Sequence, residues 1–252
     1  MEGQSRTLQT VERSIDILEA LRAADGARVS ELAERFDLAP STIHAHLATL
    51  EADGLVITEG DTYQLSLRFL ELGKYTQKRT EARELAAEYT DTLVEETGYR
   101  AIFMVEEAGQ GIFLHMSAGE HPPWTHTAPG QRSPLHCLAA GKAILAEYPD
   151  PVVRDTLDSQ GMPAQTDNTI TEVEPFMAEL AQVREDGYAF NDCENVEGIR
   201  AIGVPAHGPG GTVVGSFSIS GPQHSMTEEM FREQLPRELM GIVDEYELEL
   251  SL

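Results

Sequence analysis

Residues Val29 to Leu50 read VSELAERFDLAPSTIHAHLATL, the pattern of two helices joined by a tight connection. Ser30 stands where a cap hydroxyl would accept from the first free backbone N–H groups, ahead of Leu32, Ala33 and Phe36. A two-turn helix closing near Asp37 is therefore predicted. Pro40 suits the first turn of the next helix, where its missing N–H would have no partner anyway. In that helix Ile43, Leu47 and Leu50 share one face, and Gly54 follows as a stop. The opposite face carries Ser41, Thr42, His44, Ala45, Ala48 and Thr49. Small residues let a helix seat deeply in a major groove, and hydroxyls and imidazoles can bond to phosphates or base edges.

Upstream, Leu8, Val11, Ile15, Leu18 and Leu21 recur at spacings of three and four, which predicts an amphipathic helix stopped by Asp25-Gly26. Downstream, Leu55 to Thr58 and Thr62 to Leu65 read as short strands around Glu59-Gly60-Asp61, a hairpin of the size of a DNA-binding wing. Residues 7–68 thus form a predicted winged helix-turn-helix. A protein-docking module of three helices and a hairpin would share this pattern. Charge favours that alternative, because residues 1–70 hold 12 acidic and 6 basic residues, where a DNA-binding surface is usually basic. Concentrated salt weakens the objection by suppressing phosphate-driven affinity, leaving short-range contacts to carry binding. Arg6 in the N-terminal arm, Arg35 beside the turn and Arg68 after the wing are the basic residues placed to meet phosphates.

Across all 252 residues, 43 acidic side chains face 18 basic ones, and only Lys74, Lys78 and Lys142 are lysines. Such a balance fits a salt-loving host, in which self-repulsion is screened within a few Å. A merely acidic protein is the other reading. Two cysteines, Cys137 and Cys193, together with no signal-peptide charge pattern and no apolar run near 18 residues, predict a soluble cytoplasmic protein with reduced thiols and no membrane partner.

Residues 69–252 are read as a linker helix and a second domain. Ser66 to Gly98 is helix-forming, with a break expected between Gly73 and Thr80. Strands are predicted at 101–105, 111–115, 201–205 and 213–220, and helices near 138–147, 150–159, 172–186 and 227–248, an α+β order. If Ala139-Ala140-Gly141 opens a helix, its N–H groups would favour an anion, which suits a carboxylate effector. An enzyme is the competing hypothesis, with Cys137 beside His136 and with His115, His121, His126 and Cys193 as nucleophile or zinc candidates. None has ligand spacing, and adjacent strand residues point to opposite faces. No catalytic residue, metal or cofactor is predicted, a regulatory metal in the sensor pocket being the lesser alternative.

Five stretches in register resemble the IclR family of transcriptional regulators. They are Val11 to Leu18; Val29 to Ala33; Ser41 to His44 with Leu47 to Leu50; Pro134 to Cys137 running into Ala140 to Ala146; and Gly187 to Phe190 followed by Ser218 to Pro222. The resemblance implies a winged helix-turn-helix, a linking helix that helps dimerise the protein, and a GAF-like mixed α/β effector domain. It implies double-stranded operator DNA and a small metabolite, often an organic acid, as partners, and a homodimer or homotetramer. By the same resemblance the effector-contacting positions fall on Ala139, Ala140, Asn191 or Asp192, Ala201, Ser218 and Ser220. The chain departs from the family at Ala45, where an arginine is usual, at His46, where an apolar residue is usual, and at Asn191 to Glu194, which replaces a more acidic stretch.

Overall fold

A computed structural model describes residues 7–119 and 127–252. Contacts divide the chain between Thr76 and Gln77 into two compact units. The boundary expected at 68/69 falls in the first turn of the linking helix, whereas this division falls at its C-terminal end.

In the first unit α1 spans Gln9–Ala24, α2 Val29–Phe36 and α3 Pro40–Ala52, and β1 (Val56–Glu59) pairs antiparallel with β2 (Thr62–Leu65). α4 (Arg68–Gln77) follows. The helix-turn-helix forms because Ile43, Leu47 and Leu50 of α3 bury against Leu32 and Ala33 of α2 and Ile17, Ala20 and Leu21 of α1. Ile17, Ile43 and Leu47 lose all solvent contact, and each such side chain contributes about 1.5–3 kcal/mol. Ala27 forms a bridge with Tyr63, which ties the α1–α2 connection to the wing. Gly26 makes that approach possible: its φ is +103°, and a Cβ there would lie 3.0 Å from Thr62 Cγ2.

Two expectations shift here. Ser30 is not the cap of α2, which begins at Val29. The Arg28 N–H instead donates to Glu31 Oε2 (2.7 Å) at the helix entrance. The stripe expected to be the inner face of α1 is also largely outside: Leu8, Val11 and Ile15 are 69%, 52% and 54% exposed, and burial falls on Ile17, Ala20 and Leu21.

The second unit is built on one antiparallel sheet. Its strands are β3 (Arg100–Glu107), β4 (Gln110–Ser117), β5 (Arg132–Pro134), β6 (Ala189–Asp192), β7 (Ile199–His207) and β8 (Val213–Pro222), in the order β5-β4-β3-β8-β7-β6. Because side chains alternate along each strand, the sheet feeds two cores. Ala101, Phe103, Phe217 and Ile219 pack beneath α5 (Glu81–Thr97) and α9 (Leu235–Leu250), where Tyr246 is fully buried. Ile102 and Met104 face α6 (Ala139–Ala146), α7 (Asp150–Gln160) and α8 (Val173–Asp186). β5 and β6 were not foreseen from sequence. They have three and four residues, too few to show an alternation. The last helix, expected to run unbroken from 227, opens with a π-helical turn at Met230–Gln234. Among the described residues no helix is long and apolar enough to cross a membrane.

Candidate DNA-binding face and effector cavity

The inward face of α3 is fixed by the core, so its other side is fixed too. Ser41, Thr42, His44, Ala45, Ala48 and Thr49 are all exposed. Thr49 Oγ1 donates back to Ala45 O (2.9 Å), which leaves Ser41, Thr42 and His44 as the outward polar groups toward the N-terminal end. His46 faces the supporting helix instead, its Nδ1 lying 2.8 Å from Ser14 Oγ on α1. Arg35 is exposed at the end of α2, and among the described residues it has no carboxylate partner. Arg68 donates through Nη1 to Asp53 O, so it braces the end of α3 with one of its five N–H groups. Arg6 lies outside the described residues. Arg28, not singled out from sequence, pairs with Asp61 of the wing (3.1 Å).

In the second unit, register sets out a cavity wall. Arg100, Ser220, Ala201 and Asn191 align across β3, β8, β7 and β6. Ile102, Ser218, Gly203 and Ala189 form the next row. Side chains two apart share a face, so Arg100, Ile102, Ser218, Ser220, Ala201 and Asn191 all reach one cavity of about 50 Å³. Ala139 and Ala140, at the start of α6, form part of the facing wall. Gly203 lets that helix settle: a Cβ there would lie 2.5 Å from the Ala139 carbonyl carbon and 2.6 Å from Ala140 N. No side chain caps α6, whose N-cap is Leu138, so its first N–H groups are available to a ligand. Gly141 serves packing instead, since a Cβ there would strike the Leu135 backbone.

Of the effector residues read from sequence, Ala139, Ala140, Asn191, Ala201, Ser218 and Ser220 line this cavity. Asp192 does not. Its carboxylate turns away to Arg200 Nε (2.8 Å) and Arg232 Nη2 (3.5 Å), because successive strand residues face opposite sides. Asn191 is 4% exposed, and its amide is committed to Cys137 O (2.7 Å) and to the Glu194 N–H (2.8 Å). It shapes the wall more than it offers donors. Arg100, Phe113, Thr127, Asn195, Val196 and Ile199 were missed; cross-strand register, which sequence does not display, is what brings Arg100 opposite Ser220.

Beneath the cavity floor, Lys142 is fully buried and donates to Glu194 (2.8 Å) and Glu179 (3.0 Å). Burial pushes the Glu194 carboxyl up from its ordinary range, with Lys142 opposing. Burial also drives the Cys137 thiol up to about 12, so it is no nucleophile. His136 is pulled down by the same cause and bonds to Pro163 O (3.2 Å). Among the described residues no cluster of His, Cys, Asp and Glu could hold a metal ion; His121 and His126 lie outside them.

A helix-turn-helix with an outward-facing helix, followed by an α/β unit with an anion-favouring cavity, defines a ligand-responsive DNA-binding regulator. The chain belongs to the IclR family of transcriptional regulators: residues 10–60 match the IclR helix-turn-helix domain, and residues 74–243 match the IclR C-terminal domain of bacterial transcriptional regulators. It is 33% identical to the probable HTH-type transcriptional regulator ArcR of Halobacterium salinarum, over 99% of this chain and 96% of ArcR. The crystal structure of Thermotoga maritima IclR superposes with a TM-score of 0.81 at 27% identity, covering 98% of this chain and 100% of that one. An IclR homologue from Microbacterium hydrocarbonoxydans, complexed with 4-hydroxybenzoate, has a TM-score of 0.80 at 20% identity, covering 96% and 99%. The chain is accordingly a transcriptional regulator rather than an enzyme, with an N-terminal DNA-binding domain and a C-terminal effector domain.

Proposed function

We propose that α3 reads an operator in the major groove through Ser41, Thr42, His44, Ala45 and Thr49, with Arg6, Arg35 and Arg68 on the flanking phosphates. Residues 7–68 are the DNA-binding part and residues 69–252 the linker and effector part. A small organic acid in the cavity bounded by Ala139, Ala140, Asn191, Ala201, Ser218 and Ser220 changes operator affinity. The observation that carries the reading is α3 itself, pinned by Ile43, Leu47 and Leu50 while its polar side stands clear. The 4-hydroxybenzoate of the Microbacterium homologue supports an acid as the effector class.

A second copy of the chain would cover the apolar residues left outside: Leu8, Val11 and Ile15 on α1, and Leu67, Leu70 and Tyr75 (83%, 55% and 73% exposed) at and along α4. A homodimer also matches operators of two half-sites, and a tetramer would pair two such dimers. The net charge of −25 and the similarity to a Halobacterium protein support a cytoplasm rich in salt.

Mobility shift of the gene's own upstream DNA, in molar potassium chloride, tests this. Wild type should retard the fragment, and Thr42→Ala with His44→Ala should abolish retardation while the circular dichroism spectrum stays unchanged. Undiminished binding by the double variant would remove α3 from the groove.

A further inference from the structure

α3 (Pro40–Ala52) contains no lysine, arginine, asparagine, glutamine or aspartate. Its one carboxylate, Glu51, accepts from Thr58 Oγ1 on β1 (2.7 Å) and so is held to the wing. The side chains that read a base by paired or charged hydrogen bonds are therefore missing. Arginine and lysine would take guanine, asparagine and glutamine adenine, and a free carboxylate cytosine. What stands outward instead is small. Ala45, Ala48 and Thr49 lie three and four positions apart, so they share one strip of the helix, and all three are exposed. Thr49 Oγ1 spends its proton on Ala45 O (2.9 Å), which leaves the γ-methyl as the group Thr49 brings to a partner. The strip thus presents methyl groups and no charge. His44, nearer the N-terminal end and exposed, can give a ring N–H to a purine N7, an acceptor that adenine and guanine share.

We infer that α3 recognises thymine by its 5-methyl group, with Ala45, Ala48 and the Thr49 γ-methyl packed against thymine methyls and His44 on a purine N7, so that operator half-sites are built on T·A rather than G·C pairs. This rests on α3 being the groove reader. The thymine methyl is the apolar feature of the major-groove base edges, and alanine and threonine methyls are its matching contacts. A G·C pair offers no methyl, and its polar edge would lose water to apolar groups that return no hydrogen bond. Burying methyl groups also releases no counterions, so such contacts survive the salt that the net charge of −25 suits. Ala45, Ala48 and Thr49 are therefore the specificity-determining residues of the helix.

The test begins with selection of the full chain on a random duplex library in molar potassium chloride. Half-sites should emerge in which T·A pairs hold most of the fixed positions. Rebuilt with uracil for thymine, the selected operator should bind at least about tenfold more weakly, at about fourfold for each contacted methyl lost. A G·C pair placed at a contacted T·A position should weaken binding, and 5-methylcytosine in that pair should recover at least about twofold. Thr49→Ser keeps a hydroxyl for Ala45 O and drops only the methyl. With an unchanged circular dichroism spectrum, it should show a uracil penalty at least about twofold smaller than that of wild type.

Half-sites fixed mainly as G·C pairs would overturn the inference. So would an operator that tolerates uracil, no gain from 5-methylcytosine, or a uracil penalty in Thr49→Ser equal to that of wild type. An A·T-rich site indifferent to uracil would mean that minor-groove width is read instead, because the methyl lies in the other groove. Thr42→Ala with His44→Ala separates this from the reading beneath it. If that double variant loses the selected site while any of these outcomes holds, α3 remains the reader and only the thymine preference fails. If selection enriches no sequence, or the double variant binds the selected site undiminished, α3 is not the reader and both fail.

Discussion

Ser14 Oγ lies 2.8 Å from His46 Nδ1, and the same hydroxyl reaches Thr10 O at 3.1 Å, so one serine on α1 ties the middle of α3 to the helix that supports it. His46 is half-buried, and removing its partner leaves a ring nitrogen to find water or go unpaired. Ser14→Ala should therefore lower the stability of the first unit by about 0.5–1.5 kcal/mol. It should also weaken operator binding, because α3 then has more than one orientation. Calorimetric melting and fluorescence anisotropy on labelled operator DNA measure the two effects. An unchanged melting curve would mean that the bond contributes nothing.

How far the sequence could be read follows from this pair and from Arg100. α3 was legible because its contacts are local: Pro40, Ile43, Leu47 and Leu50 announce both a helix and its inner face. His46 was visible only as a departure from the family pattern, since its partner lies 32 positions away. The cavity serines were found by resemblance. Arg100 was not, because its place opposite Ser220 depends on pairing between strands 120 positions apart. Periodicity misled at α1, where Leu8, Val11 and Ile15 make an apolar stripe that this chain's own core leaves uncovered. A helix with apolar residues on two sides shows one pattern for two surfaces.

Lys142 offers a sharper energetic test. Its ammonium is wholly buried, held by Glu194 at 2.8 Å and Glu179 at 3.0 Å. Lys142→Met fills much of the space but strands the Glu194 carboxylate, and breaking such a pair costs about 3–5 kcal/mol. Removing both charges, as in Lys142→Met with Glu194→Leu, should recover at least half of that loss. Denaturant unfolding of the three proteins decides it. Equal losses in the single and double variants would mean that the damage is to packing alone.

His207 predicts a pH dependence. Burial pulls its ring down, but hydrogen bonds to Glu147 Oε2 (3.0 Å) and Glu247 Oε1 (2.9 Å), with their charges, outweigh burial and raise it above the ordinary histidine value. A group raised on folding stabilises fully below its unfolded value of about 6.5, and that contribution disappears as pH climbs through the folded value. Raising the pH from about 6 to about 8.5 should thus lower the melting temperature of wild type more than that of His207→Gln. Parallel curves for the two proteins would remove His207 as the clamp joining β7 to α9 and to the end of α6.

Gly203 tests how closely the cavity depends on the seat of α6. It sits on β7 between Ser218 of β8 and Ala189 of β6, and a Cβ added there would stand 2.5 Å from both the carbon and the oxygen of the Ala139 carbonyl. These are backbone atoms at a helix start, so relief requires the whole N-terminal turn to rise from the sheet. Gly203→Ala should cost about 1–3 kcal/mol of stability, as overpacking does. It should also carry the first N–H groups of α6 away from Ser218, weakening the effector response without touching any residue of the DNA-binding face. Melting temperature and the effector dependence of operator retardation read these outcomes separately. A stable, folded Gly203→Ala protein with a normal effector response would show that the helix start and the serine wall do not act on a ligand together.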